Sequence, residues 1–279
     1  MAKTIVTHIN PDLDAITSVW LLIRFGGTDF RDAHFSFVPA GERLGKDDEQ
    51  IVHVDTGLGM FDHHQKDRGR EDTSASKLVY EWLIDEGKIT KSEPLRRIVE
   101  LVNQFDHFGE YFWPDPLEYR YEFFLGNLIN GMKLGKYVSD DDQLVQFGMR
   151  CLDGILVSFK IRIAAEEALN TGIQFQTHWG KTIAIETTTN GVMKLALKSG
   201  YKLVARRNPE TGMVRIKSAP LPEVNLTRVY EKLKKVDSQA TWYFHPSGHM
   251  VLNGSLRNPT MRASKLSLSE VIEILKQAK

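Results

Sequence analysis

Residues 5–22 read "IVTHINPDLDAITSVWLL", which is an apolar strand, a polar turn and an apolar helix in immediate succession. Asp, Asn and Pro are common where a helix begins, because a side-chain oxygen caps free N–H groups and Pro needs no partner there. Capping one helix requires one carboxylate and no imidazole. The turn alone therefore leaves His8 and the second of Asp12 and Asp14 unexplained, and the rest of the chain must decide what they do.

The composition limits the class of protein. The 279 residues are enough for about two domains, and the 36 basic and 36 acidic residues balance, which argues against binding to long duplex nucleic acid. Cys151 is the only cysteine, so an intrachain disulfide and a cysteine zinc site are excluded. The first ten residues hold no signal-like apolar stretch, and runs such as "VWLLI" at 19–23 are too short to span a bilayer. We therefore expect a soluble, cytoplasmic protein with no membrane partner.

Strand-like and helical segments alternate in the first half of the chain. This alternation predicts a mostly parallel sheet, whose ligands gather beyond the carboxyl ends of the strands. His8, Asp55 and His63 fall at such ends. The predicted strands cover 4–8, 34–40, 51–57 and 60–64, and the predicted helices cover 15–25, 73–86 and 93–105.

A long helical stretch over 142–170 ends beside Gly172, a residue suited to stop a helix. A different pattern follows, with strands predicted at 182–186, 201–207, 212–218 and 240–255, and helices at 190–198, 224–235 and 267–277. The predicted class is α/β, with a mostly parallel-sheet catalytic domain over 1–171. A smaller mixed-sheet α/β domain is predicted over 181–279.

Acidic and imidazole residues recur at the ends of the predicted strands. Asp55 closes one strand, "FDHH" follows at 61–64, and "FDHF" stands at 105–108. An Asp and His set of this size suits a pair of divalent cations such as Mn²⁺ or Mg²⁺. Zinc would more often recruit cysteine or fewer carboxylates. For Asp106 the pattern leaves two alternatives, a metal ligand or a turn cap, and it predicts that His107 orients a ligand or packs.

The motif "HINPDLDA" followed by "DHH" resembles the DHH phosphoesterase superfamily, which includes RecJ-like exonucleases, nanoRNases, cyclic-dinucleotide phosphodiesterases, exopolyphosphatases and family II pyrophosphatases. The spacing of His8, Asp12 and Asp14 matches the first motif of that superfamily. Asp55 occupies the place of the second motif, and the triplet begins at Asp62. Only six residues separate Asp55 from Asp62, whereas many relatives have a longer segment there.

The resemblance implies two bound divalent cations, Mn²⁺ first, with Mg²⁺ or Co²⁺ as alternatives. One cation would be held by His8, Asp12 and Asp55, and the other by Asp14, Asp55, His63 and Asp106. The implied catalytic residues are His64, which would contact the scissile phosphate, and Asp62, which would orient an imidazole.

The resemblance continues into the second predicted domain. "GHMVLNG" at 248–254 is similar to the Gly-His segment of the DHH-associated substrate domain, although the usual glycine run is reduced to Ser247-Gly248. Gly248 and His249 are therefore expected to bind substrate. Arg257 and Asn10 are two further candidates for substrate binding.

The function predicted from these motifs is two-metal hydrolysis of phosphodiester bonds in short oligonucleotides or nucleotides. The expected partner is a small phosphorylated substrate or a short single strand, and the sequence does not specify the oligomeric state. An exopolyphosphatase or pyrophosphatase is the enzymatic alternative. An alternative of another class is a metal- or nucleotide-binding regulatory module without turnover.

Overall fold

A computed structural model describes residues 2–45, 48–66, 68, 72–255, 258 and 260–278. The chain divides into two compact units, Met1–Phe159 and Lys160–Lys279. The division falls inside one long helix, whereas the sequence analysis placed it at the end of that helix. The assignment of a catalytic and a substrate-binding role to the two parts of the chain stays a prediction.

The first unit contains a three-stranded parallel sheet in the order β2-β1-β3, surrounded by helices. Two short 3₁₀ segments, Gly109–Phe112 and Tyr119–Phe123, precede its fifth helix. The elements of this unit are β1 (Thr4–His8), α1 (Leu13–Phe25), α2 (Thr28–Arg31), β2 (His34–Val38), β3 (Ile51–His53), α3 (Ala75–Asp85), α4 (Glu93–Asp106), α5 (Leu125–Leu134) and the first part of α6 (Asp141–Asn170).

The core of the first unit forms around α1. This helix is buried on nearly every side, and Trp20, Leu21 and Leu22 are fully buried. Trp20 also donates its indole N–H to Asp153 of α6 at 2.8 Å, which satisfies the one polar atom that burial of this side chain would otherwise leave unpaired. Because the α1 core is fixed in this way, the turn at its start is held in place.

The strand predicted at 60–64 is reduced to an isolated bridge between Phe61 and Val54. Three residues before it, Asp55, Gly57 and Leu58, have positive φ angles. A run of left-handed residues turns the backbone away from the extended conformation. This part of the prediction was therefore wrong, and the chain forms a tight loop that carries acidic and imidazole side chains.

The second unit contains a six-stranded mixed sheet in the order β4-β5-β6-β7-β9-β8. Among the strands that the structure describes in this unit, β5 and β6 alone pair in parallel. The predicted α/β class with one parallel and one mixed sheet is therefore confirmed. The remaining elements are β4 (Ile173–Thr177), β5 (Gly180–Glu186), α7 (Val192–Lys198), β6 (Leu203–Arg207), β7 (Val214–Ser218), α8 (Thr227–Val236), β8 (Tyr243–Phe244), β9 (Met250–Leu252) and α9 (Leu268–Gln277).

Two turns explain the strand boundaries of the second unit. The side chain of Asn208 accepts from the backbone N–H groups of Glu210 and Thr211, and Gly212 has a φ of 70°, which makes the predicted hairpin between β6 and β7. Gly248, with a φ of 76°, lies in the turn that splits the predicted 240–255 strand into β8 and β9. Both turns use left-handed residues where glycine is favoured.

Helices cover both faces of the second sheet. One face packs against α8 and α9 around Ile216, and the other packs against α7 around Ile183. Within the described part of the chain, no helix combines the length and apolar character that a membrane crossing requires.

Candidate metal centre

Four segments of the first unit bring acidic and imidazole side chains together beyond the carboxyl edge of the parallel sheet. His8 is the last residue of β1, and Asp55 lies just past the end of β3. The two strands pair in parallel, so their ends lie at one edge and the following side chains converge. His63 lies in the loop before α3, and Asp106 is the last residue of α4.

Asp55 lies at the centre of this cluster. Its φ of 53° is uncommon for a residue with a side chain, and the residue is only 3% exposed. Its Oδ2 lies 3.3 Å from Nε2 of His8, and its Oδ1 lies 3.4 Å from Nε2 of His63. The two oxygens of one buried carboxylate therefore face two different imidazoles.

His8, Asp12 and Asp55 form the first group of potential ligands. The Nδ1 of His8 lies 2.9 Å from the carbonyl oxygen of Ile9. When Nδ1–H donates to this carbonyl, the Nε2 lone pair is left for a metal ion. The Oδ1 of Asp12 accepts from the N–H of Ala15 at 3.0 Å and so caps α1. A carboxylate has about four acceptor sites, so Asp12 can cap the helix and still bind a cation.

The second group of potential ligands is His63, Asp106 and His107, and His63 also forms a group with Asp55 and His64. The Nε2 of His63 lies 3.4 Å from Asp55 Oδ1 and 3.4 Å from Asp106 Oδ2. In the described part of the chain, these three atoms are buried without a hydrogen-bond partner. Leaving such an atom unpaired costs about 1–3 kcal/mol, so three of them in one place need an explanation.

A divalent cation fits this arrangement. Neighbouring ligands of an octahedral ion with bonds of about 2.1 Å lie about 3 Å apart, which is close to the 3.4 Å between Nε2 of His63 and each of the two carboxylate oxygens. The donors are carboxylate oxygens and imidazole nitrogens, the set that suits Mn²⁺ and Mg²⁺ better than a thiolate-seeking metal. The residues present therefore fit the predicted metal centre.

Asp14 lies beside the second group and has a structural contact of its own. Its two oxygens accept from the N–H groups of Ala75 and Ser76 at 2.7 and 3.0 Å, and this joins α1 to the start of α3. Its Oδ2 is 4.0 Å from Nε2 of His63. Asp14 is therefore farther from His63 than Asp55 and Asp106 are, and it stays a predicted ligand rather than part of the tightest groups.

Asp62 and His64 make a pair at the mouth of the cluster. The buried carboxylate of Asp62 accepts from the backbone N–H groups of Leu58 and His64 at 2.7 and 3.0 Å. Its Oδ1 lies 2.9 Å from Nδ1 of His64, whose side chain is 61% exposed. This contact occupies Nδ1 of His64 and leaves its other ring nitrogen, Nε2, free to contact a substrate.

The charges of the cluster shift its ionisation strongly. Burial disfavours the charged form of His8 and His63, but the neighbouring carboxylates, Asp55 first, raise the pKa of each imidazole to about 9. Burial and the charges of Asp55 and Asp106 raise the pKa of Asp14 to about 8. Burial also raises the pKa of Asp106 to about 6. Without a cation, bound protons on these side chains therefore offset part of the negative charge of the carboxylates.

His107 lies against the same cluster. Its Nε2 lies 2.9 Å from the carbonyl oxygen of Thr73 and 3.7 Å from Asp106 Oδ2, and its ring meets that of His63 edge-on. His107 therefore packs against His63 and ties the end of α4 to the segment before α3. In the sequence, the position of His107 directly after Asp106 in "FDHF" is what indicated this role.

Two residues that the sequence analysis missed hold the turn between His8 and Asp12. Lys133 of α5 donates to the carbonyl oxygen of Asn10 at 2.7 Å, and Asp141 of α6 accepts from the N–H of Asn10 at 3.0 Å. Asn10 has a left-handed φ of 55°. Both backbone groups of this strained residue are thus held by helices far away in sequence, and no local pattern could have revealed this.

The predicted substrate residues of the second unit lie at the turn before β9. His249 Nδ1 lies 2.9 Å from the hydroxyl oxygen of Ser218, and Gly248 accepts from the N–H of Leu226 through its carbonyl oxygen. Asn10, the fourth predicted substrate residue, lies in the first unit and is exposed. Arg257 lies outside the described residues, so its predicted role stays a prediction.

Several solved structures match this chain at low sequence identity. The pGpG-specific phosphodiesterase PggH from Vibrio cholerae is 14% identical, and the match covers 90% of this chain and 92% of PggH, with a TM-score of 0.37. RecJ from Thermus thermophilus in complex with Mg²⁺ is 14% identical over 99% of this chain, with a TM-score of 0.34. This chain spans 49% of the length of that RecJ chain.

A third match is the DHH domain of a member of the s1p family of ribosomal proteins. It is 13% identical, the match covers 98% of this chain and 85% of that one, and the TM-score is 0.34. It bears the DHH name of the superfamily that the motifs resemble. No family model and no curated protein matches the chain.

Proposed function

We propose that this protein is a phosphoesterase of the DHH type that uses two divalent cations, Mn²⁺ first, to hydrolyse phosphodiester bonds in short oligonucleotides or nucleotides. The observation that carries this proposal is the position of Asp55, whose two carboxylate oxygens face His8 on one side and His63 on the other. A carboxylate in this position suits a bridge between two ions.

The proposed ligand set assigns His8, Asp12 and Asp55 to one ion, and Asp14, Asp55, His63 and Asp106 to the other. Two such ions, when bound, supply Lewis acidity toward water and toward a phosphate group. The imidazoles of His8 and His63 must lose a proton at Nε2 to serve as ligands, and the carbonyl of Ile9 holds the remaining proton of His8.

His64 and Asp62 are proposed to act on the phosphate itself. Hydrolysis joins a water oxygen to phosphorus and breaks the bond to the leaving oxygen, which then takes up a proton. With Nδ1 held by Asp62, His64 presents Nε2 to the phosphate and can donate a hydrogen bond to its oxygens as negative charge builds up. Asp62 fixes the ring orientation.

Exposed aromatic side chains support a substrate that carries bases. Phe108, Tyr111 and Phe112 follow Asp106 in the chain and are 67%, 62% and 84% exposed. Bases of single strands stack on such rings, at about 1–3 kcal/mol for each base. Inorganic polyphosphate or pyrophosphate has no group to stack, so it remains the second candidate.

The test is a hydrolysis screen with Mn²⁺ over short RNA and DNA, linear and cyclic dinucleotides, pyrophosphate and polyphosphate. We expect cleavage of short diesters, abolished by a chelator and in Asp55→Asn. Preferred release of phosphate from polyphosphate would favour the exopolyphosphatase alternative. Metal binding without cleavage of any substrate would favour the regulatory module. We also propose that the protein is cytoplasmic.

A further inference from the structure

Large apolar side chains are exposed on one short segment of the first unit, at 117–123. Leu117 is 99% exposed, and Tyr119 and Phe123 are each 80% exposed. Single exposed apolar residues are ordinary, but several large ones on one segment mark a surface that binds something. They follow the rings that we propose to stack on bases, and they belong to neither proposed metal ion. The surface formed by these three side chains therefore needs its own explanation.

Other side chains of the same segment face inward and hold it in place. The ring of Trp113 meets those of Phe105 and Phe124 edge-on, with centroids 5.2 and 5.1 Å away. The ring of Tyr121 lies 5.5 Å from that of Trp113, and its hydroxyl donates to the carbonyl oxygen of Pro114 at 2.5 Å. The exposed side chains are therefore presented on a packed support.

Leu117 lies in a tight turn within this segment. The carbonyl oxygen of Asp115, which has a left-handed φ of 53°, accepts from the N–H of Glu118 at 2.9 Å. Pro114 and Pro116 flank Asp115, and each proline ring fixes its own φ. The turn has little freedom to fold Leu117 back onto its own chain, so this side chain is held outward.

An apolar cavity of about 300 Å³ lies beside the same segment. Trp113 and Phe124 contribute to its lining, together with Leu13 of α1 and Leu101 of α4. Leu101 is 37% exposed, so the cavity reaches the surface. The indole N–H of Trp113 already donates to Gln104 at 3.2 Å, which leaves an apolar lining. Since a cavity of about 150 Å³ lined by such residues binds benzene, this one has room for an apolar side chain.

We propose that this surface binds a second copy of the chain in a twofold dimer, in which Leu117 of each copy enters the cavity of the other. The protruding side chain and the cavity belong to one surface, so a twofold axis makes both contacts at once. Three large side chains and the walls that they cover bury roughly 600 Å² on each copy. This area is near the lower limit of about 1,200 Å² in total for a stable interface. Such a dimer does not require the proposed hydrolytic activity.

The charge of the segment narrows the choice of occupant. It carries Glu118 and Glu122, whereas the carboxylate of Asp115 pairs with Arg120 at 3.3 Å. The excess negative charge disfavours a nucleic acid strand or an anionic lipid surface. Two acidic copies repel each other, and salt screens this repulsion, so self-association should strengthen as salt is added. A basic partner would show the opposite dependence.

Sedimentation equilibrium of the full chain with a chelator tests the interface without turnover. We expect a monomer–dimer equilibrium with a Kd of about 1–100 μM that tightens with added NaCl. Leu117→Ser should weaken it about tenfold or more, because both contacts are lost at once. Leu101→Trp fills the cavity and should weaken it similarly. Val236→Ser is the control, since Val236 is 62% exposed at the end of α8, and it should dimerise as the unmodified chain does.

A mixture of the two weakened variants tests whether the contact is reciprocal. The Leu117→Ser chain keeps an open cavity, and the Leu101→Trp chain keeps the Leu117 side chain. A dimer of one copy of each therefore retains one of the two contacts, whereas each variant paired with itself retains neither. We expect the mixture to form heterodimers more tightly than either variant associates with itself.

Three results would overturn the proposal: a monomer up to about 200 μM, a dimer that Leu117→Ser leaves unchanged, or a mixture that associates no better than its components. Binding of the monomer to neutral lipid vesicles, lost in Leu117→Ser, would assign the surface to a bilayer and would also overturn the dimer. Thermal unfolding shows whether each variant is folded. If Leu101→Trp fails to fold, Leu117→Ser still decides.

Discussion

At the scale of single residues, the position of Asp12 is compatible with both roles between which its sequence position could not decide. One oxygen caps α1 through the N–H of Ala15, and the carboxylate also belongs to the group formed with His8 and Asp55. A helix cap and a metal ligand are therefore compatible in one side chain.

Asp12→Asn separates these roles. Asn caps helices about as well as Asp, so the fold should be retained, with a Tm change within about 3 °C. As a neutral and weaker ligand, it should lower kcat/KM about 100-fold or more. Asp140→Asn is the matched control, because Asp140 caps the N–H of Gln143 outside the proposed ligand set. Near-normal turnover in Asp12→Asn would refute its role as a ligand.

Metal binding should release protons. The pKa values of about 9 for His8 and His63 and about 8 for Asp14 mean that these groups hold protons at pH 7.5 in the metal-free protein. A cation requires the deprotonated forms. Manganese affinity should therefore rise with pH and level off above about 9, where the protons are already lost.

Calorimetry in buffers of different ionisation enthalpy measures the proton count. We expect at least about one proton released for each ion bound at pH 7.5, and fewer at pH 9.5. A release of zero at pH 7.5 would show that the imidazoles are not ligands.

At the scale of elements, α5 and α6 hold the turn that carries the first motif. Lys133 and Asp141 bind the two backbone groups of Asn10 from separate helices. The left-handed conformation of Asn10 therefore depends on tertiary contacts. We infer that these contacts set the spacing between His8 and Asp12.

Lys133→Met should lower manganese affinity about three- to tenfold, because the turn loses one of its two supports and His8 and Asp12 become less organised. Lys136→Met serves as the control, since it removes the same charge just past the end of α5. Titration of metal-free protein with Mn²⁺ gives both affinities. Identical affinities in the two variants would show that the contact with Asn10 does not organise the ligands.

The sequence predicted most elements because their periodicity is local, and it failed where tertiary context decides. The bounds of β1 and the existence of α1, α3, α4 and α6 followed from apolar patterning and caps. The edge strand β4, "IQFQT", was missed because it is short and largely exposed. The convergence of His8 and Asp55 was predictable from parallel strand ends. The position of His63 was not, because it depends on the tight loop that replaces the strand predicted at 60–64.

At the scale of the whole molecule, the proposed division of labour puts the chemistry in the first unit and substrate selection in the second. His249→Ala tests this division. Manganese affinity should be unchanged, and kcat/KM should fall more on a dinucleotide than on a minimal chromogenic phosphodiester, which offers nothing beyond the cleaved phosphate. His178→Ala removes another imidazole from the same unit as the control. Equal losses on both substrates would show that His249 does not select substrate.

The central claim is that Asp55 bridges two cations, and anomalous diffraction at the manganese edge from crystals soaked in Mn²⁺ tests it most directly. We expect two peaks about 3.5–4 Å apart. One should lie at coordination distance from Asp55 and His8, and the other at coordination distance from Asp55 and His63. A single peak, or two peaks of which neither contacts Asp55, would contradict the account.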